Sequence, residues 1–309
     1  MSELKKNERA IVVSALKRAA PYIRMFKGKI FVLKIGGEAL LSSKATNLLV
    51  EQIGILYDLG IKVILVHGGG PQSTELAKSL GIDSKFIEGR RVTDKKALEI
   101  SAMVLNGQIN TKLLACFRDL AIPAVGISGV DAGLIQAIKR PVVQDDKGVK
   151  IKDYGFVGDI QSVEANILFK QLDNGLIPVV SPLSADDKGT LLNINADTVA
   201  AAIASAMKAE KLILAMSAPG ILEDKNNPKS MISYVDINGL KKLKDEGKLE
   251  DGMLPKAKAI ELALTSGVPR VHVISYDLAD SLLLEIFTND GTGTLVVNDI
   301  NILSKAEKK

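Results

Sequence analysis

Two stretches decide the fold: Lys29-Ile-Phe-Val-Leu-Lys-Ile-Gly-Gly37 and Lys62-Val-Ile-Leu-Val-His-Gly-Gly-Gly-Pro71. Each is an apolar run closed by glycines. Lys29–Lys34 and Lys62–Val66 read as strands, while Lys44–Leu59 and Pro71–Leu80 read as the helices that follow them. Strands alternating with helices of this length indicate α/β units on a mostly parallel sheet. Val63-Ile-Leu-Val66 and Ile177-Pro-Val-Val180 fit strands covered on both faces.

Upstream, residues 6–26 carry Ile11, Val12, Leu16, Ala19, Ala20 and Ile23 at helical spacing, so an amphipathic helix precedes the first core strand as an appendage. Pro21 is expected to kink or divide it. Residues 134–163 break the alternation. Leu134–Lys139 and Val149–Ile160 read as a hairpin around the turn signal Gln144-Asp-Asp-Lys-Gly148. The alternation resumes after Asp186-Asp-Lys-Gly189 with helix Ala196–Met207, strand Lys211–Ala215, helices near Asp236–Glu246 and Pro255–Ser266, and strand Arg270–Ile274. The expected division is an N-terminal helix over 1–27, a first lobe over 28–185 and a second lobe over 186–309.

The chain has 309 residues, enough for two lobes of about 150 each. Apolar residues at 47% and charged residues at 25% are ordinary for a soluble globular protein, and the net charge of +4 is dispersed. Without tryptophan and with few other aromatics there is no stacking platform for nucleic acid. A single cysteine, Cys116, excludes an internal disulfide and reads as a small buried hydrophobe. No apolar run reaches 18 residues, which argues against a membrane span. The N-terminus lacks the apolar core of a signal peptide, so a cytoplasmic location is expected.

Lys34 stands just before Gly36 and Gly37. The paired glycines free space for a phosphate to approach backbone N–H groups, and the lysine adds a point charge. Alone, this motif fits a tight turn with a solvated lysine equally well. Gly68-Gly69-Gly70 before a helix makes an anion site from free amides and the helix dipole, with Pro71 suited to the first helical position. It is neither a Walker loop nor a dinucleotide fingerprint. His67 could act as a base, but a structural imidazole bonded to loop backbone is favoured. Arg91, in Arg90-Arg-Val-Thr-Asp94, could grip a carboxylate, and Thr93 or Asp94 can cap the next helix. Asn193, Asn195 and Asp197 also open a helix, yet three polar side chains exceed what a cap requires. Lys256, in Asp251-Gly-Met-Leu-Pro-Lys256, falls in the first turn of a helix, where a cation opposes the dipole and suggests an anionic ligand.

In this order, these motifs resemble the amino-acid kinase family, most closely its acetylglutamate kinase branch, over about residues 8–297. Gly126-Ile-Ser-Gly129 and Gly155-Phe-Val-Gly158 add to the likeness. The resemblance implies a three-layer α/β sandwich of two lobes with a mostly parallel central sheet. It also implies transfer of phosphate from ATP, with Mg²⁺ carried by the nucleotide, to the γ-carboxylate of N-acetyl-L-glutamate in arginine biosynthesis. Lys34 and Lys256 would stabilise the transition state, and Asp197 would hold them. Gly69, Gly70, Arg91 and Asn193 would bind the acceptor, and Gly36, Gly37, Ser217, Gly220 and Leu222 the nucleotide. An ionised carboxylate is already a nucleophile at neutral pH, so no general base is required.

The N-terminal helix with Pro21-Tyr22-Ile23 resembles the extension of arginine-inhibited members. That likeness implies a homohexamer built as a trimer of dimers, with arginine bound near Tyr22, Lys211, His272, Glu285 and Gly291. A glutamate can pair with a guanidinium, and the loop Gly291-Thr-Gly-Thr294 offers carbonyls. Ala218 replaces a common aspartate, Ile35 and Glu38 a common tyrosine and asparagine, and Val130 a frequent lysine. The alternatives are a kinase for N-succinylglutamate or an aminoadipate derivative, or a weakly catalytic arginine-sensing subunit.

Overall fold

In the computed structural model, alternate side chains of β1 (Ile30–Ile35) enter two different cores. Val32 joins one, and Phe31, Leu33 and Ile35 join the other. That alternation is the period of a strand, and it requires helices on both sheet faces. The described residues are 3–303 except 88–89, 145–149, 250–251 and 289–290. Residues 145–148 of the expected turn, Asp251 and the basic C-terminal end therefore lie outside the described residues.

The chain begins with α1 (Glu3–Phe26), β1, α2 (Ser43–Asp58), β2 (Lys62–His67) and α3 (Gly70–Ser79). A short pair, β3 (Phe86–Ile87) and β4 (Arg90–Arg91), leads to α4 (Lys95–Ala102), a π-helical segment (Met103–Asn110), α5 (Thr111–Asp119) and β5 (Ala124–Ser128). Next come β6 (Ile135–Lys139), β7 (Val143–Gln144), β8 (Lys150–Lys152), β9 (Gly158–Val163), α6 (Ala165–Asp173) and β10 (Ile177–Ser181). The strands β11 (Leu183–Ala185) and β12 (Leu191–Asn193) precede α7 (Ala196–Ala206) and β13 (Lys211–Met216). The chain closes with β14 (Tyr234–Asp236), α8 (Ile237–Asp245), α9 (Met253–Thr265), β15 (Arg270–Ser275), α10 (Ser281–Phe287) and β16 (Thr294–Val297).

Eight strands form one sheet in the order β14-β16-β15-β13-β1-β2-β10-β5, parallel throughout except for the antiparallel pair β15 and β16. One core lies between the sheet and α6 to α9, built on Val199, Ile203, Ile260 and Leu264; the other buries Leu49, Ile53, Leu113, Phe117 and Leu282 from α2, α5 and α10. The layers are helix, sheet, helix, as expected. Strands from before and after residue 186 share this sheet, joined where β1 pairs with β13.

The excursion between residues 134 and 163 is more than the hairpin read from sequence. β6 pairs antiparallel with β9, the two-stranded β7–β8 unit intervenes, and β11 and β12 extend β6 and β9 into a second four-stranded sheet. The helix α1 also departs from expectation, because Pro21 sits inside it without dividing it. Packing holds its last turn in place. Phe26 meets Phe31 edge-on with ring centroids 5.3 Å apart, and Tyr22 packs on the same core. Ile11, Val12, Val13 and Leu16 of α1 are exposed. Among the described residues no helix is long and apolar enough to cross a membrane.

Candidate active site

Strands β1, β2 and β13 run parallel, so the loops after Lys34, after His67 and after Met216 leave the same sheet edge. Open α/β sheets bind ligands at such carboxyl edges. Lys34 is the penultimate residue of β1 and points to the α7 side. There the Asp197 carboxylate lies 2.7 Å from its ammonium through Oδ1, and 3.5 Å from the ammonium of Lys256 through Oδ2. The Lys34 contact is close but off the hydrogen-bonding angle, so it is chiefly a pairing of opposite charges. Lys34 and Asp197 are 5% and 4% exposed, which removes most solvent screening. Burial pushes the Asp197 carboxyl upward, but Lys34 and Lys256 outweigh it and hold the group below its ordinary range.

Local sequence accounts for these placements. Asn195 caps α7 by accepting from the backbone N–H groups of Asp197 and Thr198, which leaves the Asp197 side chain to the lysines. Lys256 is in the first turn of α9, where its ammonium donates to the Gly252 carbonyl at 3.3 Å. The anion offsetting its position against the helix dipole is supplied by the protein itself, in Asp197.

The glycine loops after β1 and β2 touch. A Cβ on Gly37 would lie 3.1 Å from the Gly69 Cα and 2.7 Å from Pro71 Cδ, so a side chain there would push the loops apart. Gln72 fastens them by donating to the Gly37 carbonyl at 2.7 Å. The Gly70 end of α3 has no side-chain cap, which leaves its first amides as an anion-binding terminus. Arg91 donates to the Gly70 carbonyl at 3.1 Å, to Thr74 Oγ1 at 2.5 Å and to Ser84 Oγ at 2.5 Å, and Asp94 caps α4. Burial lowers the Arg91 pKa without approaching neutrality for a guanidinium. Asn193 bonds Thr93 Oγ1 at 3.4 Å, and the backbones of Thr93, Phe156 and Asn193 are stitched together.

A cleft of about 480 Å³ is lined by Lys34, Lys256, Asp197, Gly36, Gly37, Gly69, Gly70, Arg91 and Asn193, within the usual range for small-molecule sites. Arg140, which the sequence reading did not single out, also lines it and forks onto Asp159, with Nη2 to Oδ1 at 2.6 Å. His67 is absent from the lining. It is fully buried, its Nδ1 lies 3.2 Å from the Gly68 carbonyl, and burial takes its pKa to about 4. It is the structural imidazole favoured from sequence.

The sequence profile of the amino acid kinase family matches residues 29–275. The chain belongs to the amino acid kinase family. Membership makes it a phosphotransferase. It is 42% identical over 290 residues to the acetylglutamate kinase of Myxococcus xanthus, covering 93% of this chain and 94% of that one. The acetylglutamate kinase of Archaeoglobus fulgidus is also 42% identical, over 285 residues, 92% of this chain and 98% of the relative. Among solved structures, N-acetylglutamate synthase from Neisseria gonorrhoeae complexed with coenzyme A and N-acetyl-glutamate superposes with a TM-score of 0.81 at 27% identity. That match covers 93% of this chain, which spans only 63% of the synthase chain. The same synthase complexed with coenzyme A and L-arginine gives a TM-score of 0.79 at 26% identity, covering 93% of this chain and 65% of that one.

Ser217, Gly220 and Leu222 follow β13 at the same sheet edge but do not line the described cleft. Ser275 donates to the Ser217 carbonyl at 3.0 Å, Ile221 N–H donates to Thr294 Oγ1 at 2.8 Å, and Leu222 bridges Met231. Elsewhere, Lys211, His272 and Glu285 form a buried chain. Lys211 Nζ lies 2.8 Å from His272 Nε2, and His272 Nδ1 lies 2.7 Å from Glu285 Oε1. Burial and Lys211 push His272 down to about 4, against the pull of Glu285. Glu285 itself stays below its ordinary range because His272 and the amides of Thr292 and Gly293 outweigh its burial. The loop at Gly291 thus turns N–H groups to the carboxylate, where the sequence suggested carbonyls for a guanidinium. Phe26 of α1 faces Lys211, whose ammonium is 5.1 Å from the ring centroid, and Tyr22 is one helical turn earlier.

Proposed function

We propose that this enzyme is an acetylglutamate kinase of amino-acid biosynthesis, transferring the γ-phosphoryl group of ATP to the γ-carboxylate of N-acetyl-L-glutamate. The observation that carries the reading is the Asp197 carboxylate between two ammonium groups from distant parts of the chain, beside the paired glycine loops. A carboxylate oxygen attacks the γ-phosphorus, the bond from that phosphorus to the bridging oxygen breaks, and ADP departs with its electron pair. No proton moves, which suits a site whose nearest imidazole is neutral and turned away. Lys34 and Lys256 neutralise charge spreading over the transferred group, while Asp197 sets where both ammonium groups stand.

The acceptor lies against Gly69, Gly70, Arg91 and Asn193 in the lobe over 28–185. Arg91 and the α3 terminus take its second carboxylate. The nucleotide lies across Gly36, Gly37, Ser217, Gly220 and Leu222, with Mg²⁺ arriving on its phosphates, in the lobe over 186–309. Asp197 is saturated by two lysines and is not a metal ligand here. ADP release measured with N-acetyl-L-glutamate, N-succinylglutamate and an acylated aminoadipate tests the acceptor. A higher kcat/KM for either of the latter two would overturn the assignment.

The regulatory part of the reading is arginine inhibition of a cytoplasmic trimer of dimers. Support comes from the exposed Ile11, Val12 and Leu16 of α1, a face suited to a second copy, and from the likeness to a synthase whose structure was solved in complex with L-arginine. Sizing of the full chain and of a variant lacking residues 1–27, each assayed with and without arginine, checks both parts. A dimer indifferent to arginine would refute them.

A further inference from the structure

The buried polar chain behind the second glycine loop has no place in the chemistry above. Asn110, the last residue of the π-helical segment, is 6% exposed; its Nδ2 donates to the Val179 carbonyl at 2.9 Å and lies 3.2 Å from His67 Nε2. His67 Nδ1 lies 3.2 Å from the Gly68 carbonyl. A carbonyl can only accept, so Nδ1 must carry the ring proton. Nε2 is then an acceptor and requires a donor, which the second hydrogen of Asn110 Nδ2 provides. The Asn110 amide orientation is fixed by the same logic at Val179. Gly126 makes room for this amide, since a Cβ there would lie 2.0 Å from Asn110 Oδ1. That close approach gives the Gly126-Ile-Ser-Gly129 motif a physical reason.

We infer that Asn110 is a positioning residue for phosphoryl transfer: by donating to His67 Nε2 it fixes the ring tautomer that holds the Gly68 carbonyl, and so aims the amides of the Gly68–Gly70 loop into the cleft. The effect on turnover rests on the kinase reading; the tautomer does not. Segments of π-helix often occur at functional sites because they redirect single side chains, and here the last residue of one sits under the anion loop.

Asn110→Asp is the decisive change. A carboxylate has no hydrogen to give Nε2, so the neutral ring loses its donor. When the ring takes a second proton, Nε2–H donates to the new carboxylate while Nδ1–H still donates to Gly68, so both links of the imidazole are restored, whereas the bond to the Val179 carbonyl is lost at every pH. On this side of β2, His67 pairs in register with Ile35 of β1, and the core on that sheet face, which includes Val179 of β10 and Val104 and Ile109 of the π-helical segment, contains no titratable residue among its buried members. Lys34 pairs with Val66 and lies on the other sheet face.

The activity of Asn110→Asp relative to wild type is expected to be greatest in mild acid and to fall by up to about tenfold per pH unit above the new ring pKa. Asn110→Leu should instead lose about 10- to 100-fold in kcat/KM at every pH, the scale of a small misplacement. In a His67→Asn background, whose amide can reach Gly68 without help, Asn110→Leu should add little. Nitrogen-detected NMR of the wild type, with only two histidines in the chain, should find His67 neutral with its proton on Nδ1. A proton on Nε2, or an Asn110→Asp profile parallel to that of wild type, overturns the inference. Should the wild type lack activity with the acceptor, the kinase reading fails while the tautomer measurement still decides this point. It does so also if the variants fail to fold.

Discussion

Replacing Asp197 by asparagine keeps its shape and removes its charge. In the wild type the carboxylate attracts ammonium groups at 2.7 and 3.5 Å. At an effective dielectric of about 20 these are gross attractions of about 6 and about 5 kcal/mol. Desolvating each buried ion costs several kcal/mol, so little of that sum is net stability. The neutral amide would nevertheless leave two cations facing each other without the anion, and breaking a buried pair in this way costs about 3–5 kcal/mol. Urea unfolding of Asp197→Asn should fall by that amount with an unchanged m-value. Adding Lys34→Met should recover much of the stability, because the cation left unpaired is then gone, yet activity should stay lost. Turnover by ADP release should drop roughly 10²–10³-fold in the single variant, as for loss of an aimed electrostatic group. Stability within about 1 kcal/mol of wild type, together with turnover within about threefold, would refute the view that this carboxylate organises the site; the margin is the ordinary scatter of point substitutions. Acid titration gives a further check. The folded pKa is held below the ordinary 3.8, so the contribution of Asp197 is complete above that value and is lost as pH falls through the folded one. The asparagine variant should lack that slope.

Lys34→Ala and Lys256→Ala should each reduce turnover roughly 10²–10³-fold, and near wild-type rates in either purified variant would reject their roles. Gly69→Ala should cost about 1–3 kcal/mol in denaturant unfolding, because the new methyl would sit 2.6 Å from Ile109 Cδ1 and 2.8 Å from Leu105 Cδ2. It should also raise the acceptor KM. Both histidines fold with pKa values near 4 against 6.5 when unfolded, so the unfolded chain binds more protons between those values. Stability should be full above about 6.5 and decline toward about 4, by at most about 3 kcal/mol per ring. Unfolding midpoints that stay flat from neutral pH to mild acid would contradict this.

Much of the site was legible because its residues sit where strands end in glycines. Lys34, Gly37, Gly69 and Asp197 are marked by turn chemistry that a plain loop does not need. The sheet order was not legible. Nothing local to Lys211–Met216 says that it inserts beside β1, because that pairing depends on which helices cover each face. The short β14, β16 and α10 escaped notice; with three, four and seven residues they carry too little periodicity. Asn110, Gln72 and Arg140 were missed for another reason. Each acts through a partner distant in sequence, and Asn110 and Gln72 stand among other polar residues of their helices, so nothing local marked them. The nearly continuous α1 shows the converse, a proline whose local cost is overridden by burial of Phe26.

The five registered pairs from Phe31–Lys211 to Ile35–Ala215 bear on how the enzyme works. Sliding the halves of the molecule past one another would tear this ladder, at about 1 kcal/mol for each bond lost. An unbroken ladder favours closure over the reactants by a change in the propeller twist of the sheet, or by its edge loops alone, and so a flexing blade over a pair of jaws on a pivot.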